Sequence, residues 1–242
     1  LRPARADGDA RAAGAKGMRT LLRLMTWLSP GFPVGGFGYS HGLERAIEVG
    51  LAGDRAAVVE WVATVLTHGS GRQDAALLLE AHRRHDDASR LDRVVEWADA
   101  LRGTAELARE SASQGQAFLD TVRAAWPDRW LEAWQTRLHA QERRPAYAVA
   151  VGAVAARAGL AEEATLAAYL HAFAANLVSA AVRLIPLGHT DGQKAMAALE
   201  APVTAAATAA LVRSFDDLGT ATAMVDWCSQ THETQYTRLF RS

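Results

Sequence analysis

Few of the reactive side chains in this 242-residue sequence stand at spacings that support chemistry. His82 and His85 are three apart and would share one face of a helix, with Glu80 beside them; that is the spacing of a helical metal pair. Their setting, His-Arg-Arg-His-Asp-Asp, is also that of a charged, solvated helix end. His232-Glu233 starts the two-histidine zinc motif of metalloproteases, but Tyr236 occupies the position of the second ligand, which excludes it. Ser40 and His41 are neighbours, and neighbours on a helix point in different directions, so they do not make a nucleophile–base pair. Cys228 is the sole cysteine; it allows neither an internal disulfide nor a cysteine-rich zinc site. No Gly-x-x-x-x-Gly-Lys-Ser/Thr run is present. Gly36-Phe37-Gly38 follows a helical pattern rather than a strand, so it is no dinucleotide fingerprint. No pair of carboxylates stands out for acid–base work, and no catalytic residue or metal ligand set is assigned.

Two segments do not fit a bland reading. Ser29 to Glu44, SPGFPVGGFGYSHGLE, combines an irregular glycine-rich backbone with aromatic residues and a polar helix start; such a loop either packs tightly or meets a partner. Arg183 to Gln193, RLIPLGHTDGQ, places an arginine at the end of an apolar helix just before a sharp break. That arginine can complement the helix C-terminus or serve as a planar donor to a partner.

The elements that must position these residues are helical almost throughout. Leu21 to Leu28 forms a short apolar helix stopped by Pro30 and Pro33, and a second runs from Ser40 to Val49. Asp54 caps a third, which Gly69 and Gly71 end. Asp74–Arg84, Leu91–Leu101 and Leu107–Trp126 carry apolar residues at helical spacing, and Pro127 opens a further element with Trp130, Leu131 and Trp134. Pro145 starts a helix that Gly159 stops, and Glu162 and Glu163 open a long one to Ile185. Asp191 opens the next, and Asp216 or Thr220 the last. Period-two alternation is nowhere convincing. The expectation is one all-α domain of roughly ten helices over 18–242, preceded by a disordered leader at 1–17.

Composition narrows the class. Half the residues are hydrophobic, which excludes disorder over the whole length. The net charge is -1, so no global basic field holds nucleic acid or an anionic membrane. Ala164–Val182 is long enough to cross a bilayer, yet His171, Asn176 and Ser179 make a buried core helix the better reading. A single cysteine suits the reducing cytoplasm. From the residues alone, a helical metalloenzyme using His82 and His85 and a helical ligand-binding regulatory domain stay open, the latter without a basic helix-turn-helix.

The segment from Ser29 to Glu44 resembles the hallmark of the UreF family of urease accessory proteins, and Arg183–Gln193 is similar to that family's second block. His232–Ser242, HETQYTRLFRS, is similar to its tail. His189 stands where the family usually has glutamine. The resemblance implies a UreF-like helical bundle: a cytoplasmic, homodimeric, non-catalytic scaffold. It implies binding to UreD (UreH), recruitment of the nickel-carrying GTPase UreG, and nickel insertion into apo-urease. GTP would be bound by UreG, no cofactor would be held tightly here, and nickel would at most be in transit. On that resemblance and residue type, Tyr39, Ser40, His41 and Glu44 are expected on a partner-contact surface or nickel path. Phe32, Phe37 and Tyr39 would supply aromatic anchors. Arg183, Asp191 and Gln193 are expected on the dimer or UreG-facing surface. Tyr236, Arg238, Leu239, Phe240 and Arg241 are expected to dock on UreD as part of a tail at 232–242. Gly35, Gly36, Gly188 and Gly192 are assigned to backbone geometry.

Overall fold

The computed structural model describes residues 4–242, with no account of the side chains of 4–13 and 16. Among the described residues there are eleven α-helices, one 3-10 turn at Gly36–Gly38 and no strand. The helices are α1 (Ala4–Trp27), α2 (Leu43–Glu48), α3 (Arg55–His68), α4 (Ser70–Arg83), α5 (Ala88–Ala100) and α6 (Ala105–Ala125). They continue with α7 (Arg129–Ala140), α8 (Tyr147–Arg157), α9 (Glu162–Leu184), α10 (His189–Val212) and α11 (Ala223–His232). The single all-α domain expected from periodicity is what is found.

Local chemistry explains the starts. Asp54, Asp87, Thr104 and Asp128 each accept a main-chain N–H of the helix they precede, at 2.8–3.3 Å. Pro145 lies two residues ahead of α8, where its missing N–H costs nothing.

Other boundaries moved. α1 starts at Ala4 rather than near Leu21, because its Ala/Arg-rich first turns are good helix formers even without an apolar face. The disordered leader expected over 1–17 is therefore helix from Ala4; residues 1–3 lie outside the described residues. α4 starts at Ser70, not Asp74: Gly71 is no stop but a contact, since a Cβ there would lie 2.7 Å from Leu66 Cα. α10 starts at His189 and α11 only at Ala223, the latter after a turn through 213–222.

The core is organised around α8, in which every residue from Ala148 to Ala155 is buried. A helix buried all round needs small residues where neighbours cross. A Cβ on Gly152 would lie 2.2 Å from the Leu78 carbonyl of α4, and one on Gly115 of α6 would lie 2.0 Å from the Pro145 carbonyl. α9 and α10 are long and apolar enough to cross a bilayer by length and composition alone, but Leu166, Leu170, Leu177 and Val178 of α9 lie in the same core. α1 seals one end through Leu24 and Trp27, Trp27 meeting Phe118 and Trp126 edge-on. Its opposite face, Met18, Leu21, Leu22 and Met25, is exposed. α2 and α11 pack together and carry the site described next.

Candidate functional site

The loop between α1 and α2 turns inward through left-handed backbone at Gly35 (φ 75°), His41 (φ 58°) and Gly42 (φ 78°). Gly42 is doubly constrained: a Cβ there would also lie 3.0 Å from the Ser229 nitrogen of α11. The turn buries Tyr39, Ser40, His41 and Glu44. The surface expected of these four is thus an interior, because the tail folds back over Ser40 and Glu44 while His41 packs against Phe173.

Ser40 Oγ donates to the main-chain oxygen of Ser242 at 2.5 Å, the Ser40 N–H donates to the same oxygen at 2.8 Å, and the Arg241 N–H donates to the Gly38 carbonyl at 2.9 Å. The Glu44 carboxylate accepts the main-chain N–H groups of Leu239 (2.7 Å) and Phe240 (3.0 Å). Its Oε2 also faces His232 Nε2 at 3.1 Å. His232 Nδ1 lies 2.7 Å from Oε2 of Glu106 on α6, whose other oxygen accepts Arg238 at 2.7 Å. Glu110, one turn along, accepts the Ser242 hydroxyl at 2.6 Å. Burial opposes the charge of Glu110, but His41, Ser242 and Arg102 outweigh it and hold the carboxyl below the usual range. Three buried carboxylates thus find their partners largely in the tail and α11, as buried charge requires.

Phe240 is buried, its ring lying 4.4 Å beneath the Arg183 guanidinium, which also donates to the Phe37 carbonyl at 2.7 Å and to Ser179 at 3.2 Å. Phe240 is accordingly not presented for docking. Tyr236 is fully exposed, Leu239 is 64% exposed, and Arg238 and Arg241 are also at the surface. Of the expected aromatic anchors, Phe32 is buried, Tyr39 is too, and Phe37 stands out at 73% exposure. The Arg183–Phe37, Arg183–Phe240 and Arg241–Gly38 contacts just given hold the hallmark loop against the tail, so that exposed residues of both segments contribute to one composite surface.

Asp191 and Gln193 sit apart, at the start of α10; Asp191 accepts from Arg55 (2.9 Å) and Lys194 (3.3 Å). Of the glycines, Gly35 needs its left-handed backbone and Gly192 its small size, since a Cβ would lie 3.0 Å from Val182 Cγ2. Gly36 and Gly188 have ordinary backbone and room for a Cβ, so the strain expected at them is absent.

The metal pair does not form. His82 Nε2 is taken by the Leu160 carbonyl (2.8 Å), His85 Nδ1 by the His82 carbonyl (3.0 Å), and Glu80 by Arg84 (2.9 Å). Burial lowers the pKa of His82. Among the described residues no group of three or more His, Cys, Asp or Glu is arranged to hold a metal. Ser70, His41 and Glu110 fall in the order of a nucleophile, base and orienting acid, with His41 Nε2 2.5 Å from Ser70 Oγ. The His41 Nδ1 to Glu110 separation, 3.5 Å, is long for a hydrogen bond, and His41 is buried edge-on against Phe173. These three residues act as a packing contact that holds the hallmark loop against α4 and α6.

Sequence reasoning gave no role to Glu106 or Glu110, placed Gly42 and Ser242 in the hallmark loop and tail without a contact for either, and read His232 as a broken zinc motif and as the first residue of the tail. A signal existed in α6: Glu106, Glu110 and Gln114 recur every four residues and are buried on the face that also holds Leu107, Ser111 and Phe118.

The UreF family model matches residues 52–200. Relatives named urease accessory protein UreF align over nearly the whole chain. That from Bradyrhizobium sp. strain ORS 278 is 49% identical over 96% of this chain and 95% of its own. The protein from Rhodopseudomonas palustris strain TIE-1 is 48% identical over 98% of both, and that from Granulibacter bethesdensis 45% over 97% and 99%. With hallmark loop, second block and tail brought onto one fold, the chain belongs to the UreF family of urease accessory proteins.

Proposed function

We propose that the chain is a non-catalytic, cytoplasmic scaffold of urease maturation. It acts as a homodimer, binds UreD (UreH), recruits the nickel-carrying GTPase UreG and promotes nickel insertion into apo-urease. Nickel is cargo in this reading, and GTP is bound by UreG. The observation that carries it is the composite surface that the hallmark loop and the tail build together. Phe37 on the loop and Tyr236 and Leu239 on the tail are exposed, the tail also carries Arg238 and Arg241, and Arg183 ties loop to tail through the Phe37 carbonyl and the Phe240 ring. Exposed aromatic and aliphatic groups on segments that also carry arginine have the make-up of an interface hot spot. We assign Tyr236, Arg238, Leu239 and Arg241 to UreD, and Arg183, Asp191 and Gln193 to the dimer or UreG-facing side. Ser40, His41, Glu44 and Phe240 support that surface from beneath.

The test is nickel-dependent urease activity in cells that carry the cognate urease operon but lack this protein, with and without the chain restored. The expected result is activity only on restoration, with apo-urease accumulating otherwise. Full activity without the chain would overturn the proposal.

A further inference from the structure

We propose that His232 is the positioning residue of the tail: it joins Glu44 to Glu106 and so holds the composite surface in its presented form. The part about presentation rests on the functional reading above; the part about the tail does not.

The geometry is specific. His232 has no solvent exposure, and its two ring nitrogens face carboxylates from two different helices, Glu44 of α2 at 3.1 Å and Glu106 of α6 at 2.7 Å. Each carboxylate grips the tail at a separate point. Glu44 takes the main-chain N–H groups of Leu239 and Phe240, and Glu106 takes the Arg238 guanidinium. One buried ring therefore sets the spacing of both grips. Without it, two carboxylates would face each other across the vacated volume in a poorly hydrated interior, where like charges repel strongly. They would separate or draw in water, and Glu44 could not keep two main-chain N–H groups at 2.7 and 3.0 Å. The main-chain grips on Leu239 and Phe240 would then loosen, and Phe240 would leave the Arg183 guanidinium that ties it to the Phe37 carbonyl. The surface so held suits a partner that offers an apolar pocket rimmed by carboxylates.

The test is hydrogen–deuterium exchange of the tail peptide 236–242 in the full chain, read alongside peptides from α4 and α8. Losing one partner of a buried polar pair costs enough to change a local equilibrium by about tenfold or more. His232→Gln is therefore expected to speed tail exchange by at least about tenfold. Glu106 also takes the Arg238 guanidinium, so Glu106→Gln alone is expected to speed tail exchange too, and the double variant by less than the product of the two single effects, because both act through the same tie. A general packing loss in His232→Gln would instead loosen the α4 and α8 peptides as much as the tail. Unchanged tail exchange in His232→Gln, equal loosening of α4 and α8, or single effects that simply multiply overturns the inference. Urease activation separates the two readings: fast tail exchange with full activation sinks the partner surface and leaves the positioning role standing.

Discussion

Removing the Arg183 side chain tests how the tail is docked. Its guanidinium makes a 2.7 Å charge-assisted hydrogen bond to the Phe37 carbonyl and covers the Phe240 ring at 4.4 Å. Because the side chain is partly in water, the hydrogen bond falls toward the lower end of its range, about 1 kcal/mol. The cation–ring contact adds about 0.5–1 kcal/mol at such a site. Arg183→Ala should therefore favour tail opening by roughly 1.5–2 kcal/mol, or about 10- to 30-fold in exchange of peptide 236–242. Tail opening is local, so the main urea transition should move by less than about 0.5 kcal/mol. Arg183→Lys keeps the charge but not the flat stack, and should fall between the two. Unchanged tail exchange in Arg183→Ala would refute the reasoning, and a matching loss of global stability would show that the tail belongs to the main cooperative unit. An activation defect in Arg183→Ala could thus come from the tail as easily as from a lost partner contact. Leu239→Ala separates them: activation should fall while tail exchange stays close to wild type.

Other consequences follow from the same geometry. Gly152→Ala gains about 1 kcal/mol of helix propensity, but its Cβ would sit 2.2 Å from a main-chain oxygen of α4 that must retreat by more than about 1 Å. Overpacking should win, giving a net loss of roughly 1–3 kcal/mol in urea unfolding; a neutral or stabilising result would contradict the close α4–α8 crossing. Asp128 caps α7 and pairs with Arg157, and that pairing holds its pKa below the ordinary 3.8. A depressed folded pKa means its stabilisation is present above the unfolded value and is lost as pH falls through the folded one. Asp128→Ala should cost about 1 kcal/mol at pH 7, and the gap to wild type should narrow below about pH 4 in urea midpoints. Burial pushes the Cys228 thiol up to about 11. Labelling by a thiol reagent at pH 8 should be slow in the native chain and fast in denaturant; equal rates would place the thiol at the surface.

The helices were legible because their information is local. Apolar residues at helical spacing, caps such as Asp54 and Asp128, and stops such as Gly159 act within one or two turns, so a linear reading finds them. Gly71 was misread for the same reason. A glycine between two helical patterns looks like a stop until a neighbouring helix, here the end of α3 at Leu66, is seen to need its missing Cβ. The hallmark loop and the tail were also visible as unusual segments, and their composition alone separated them from ordinary turns. Their relation to each other was not. Ser40 and Ser242 lie 202 residues apart in sequence, and Glu44 and Phe240 lie 196 apart. Contacts of that range leave no periodicity at either end.

Amino-acid types thus determined the all-helical class, the absence of a phosphate-binding loop and the identity of the segments that matter. Tertiary structure decided which way those segments face. It turned Ser40, His41 and Glu44 inward, buried Phe240 beneath Arg183 and left Phe37 and Leu239 outside. The physical reason is charge burial. Glu44, Glu106 and Glu110 can occupy the interior only where N–H, O–H and cationic groups meet them, and the tail supplies those groups once the fold has brought the hallmark loop, α6 and the tail together.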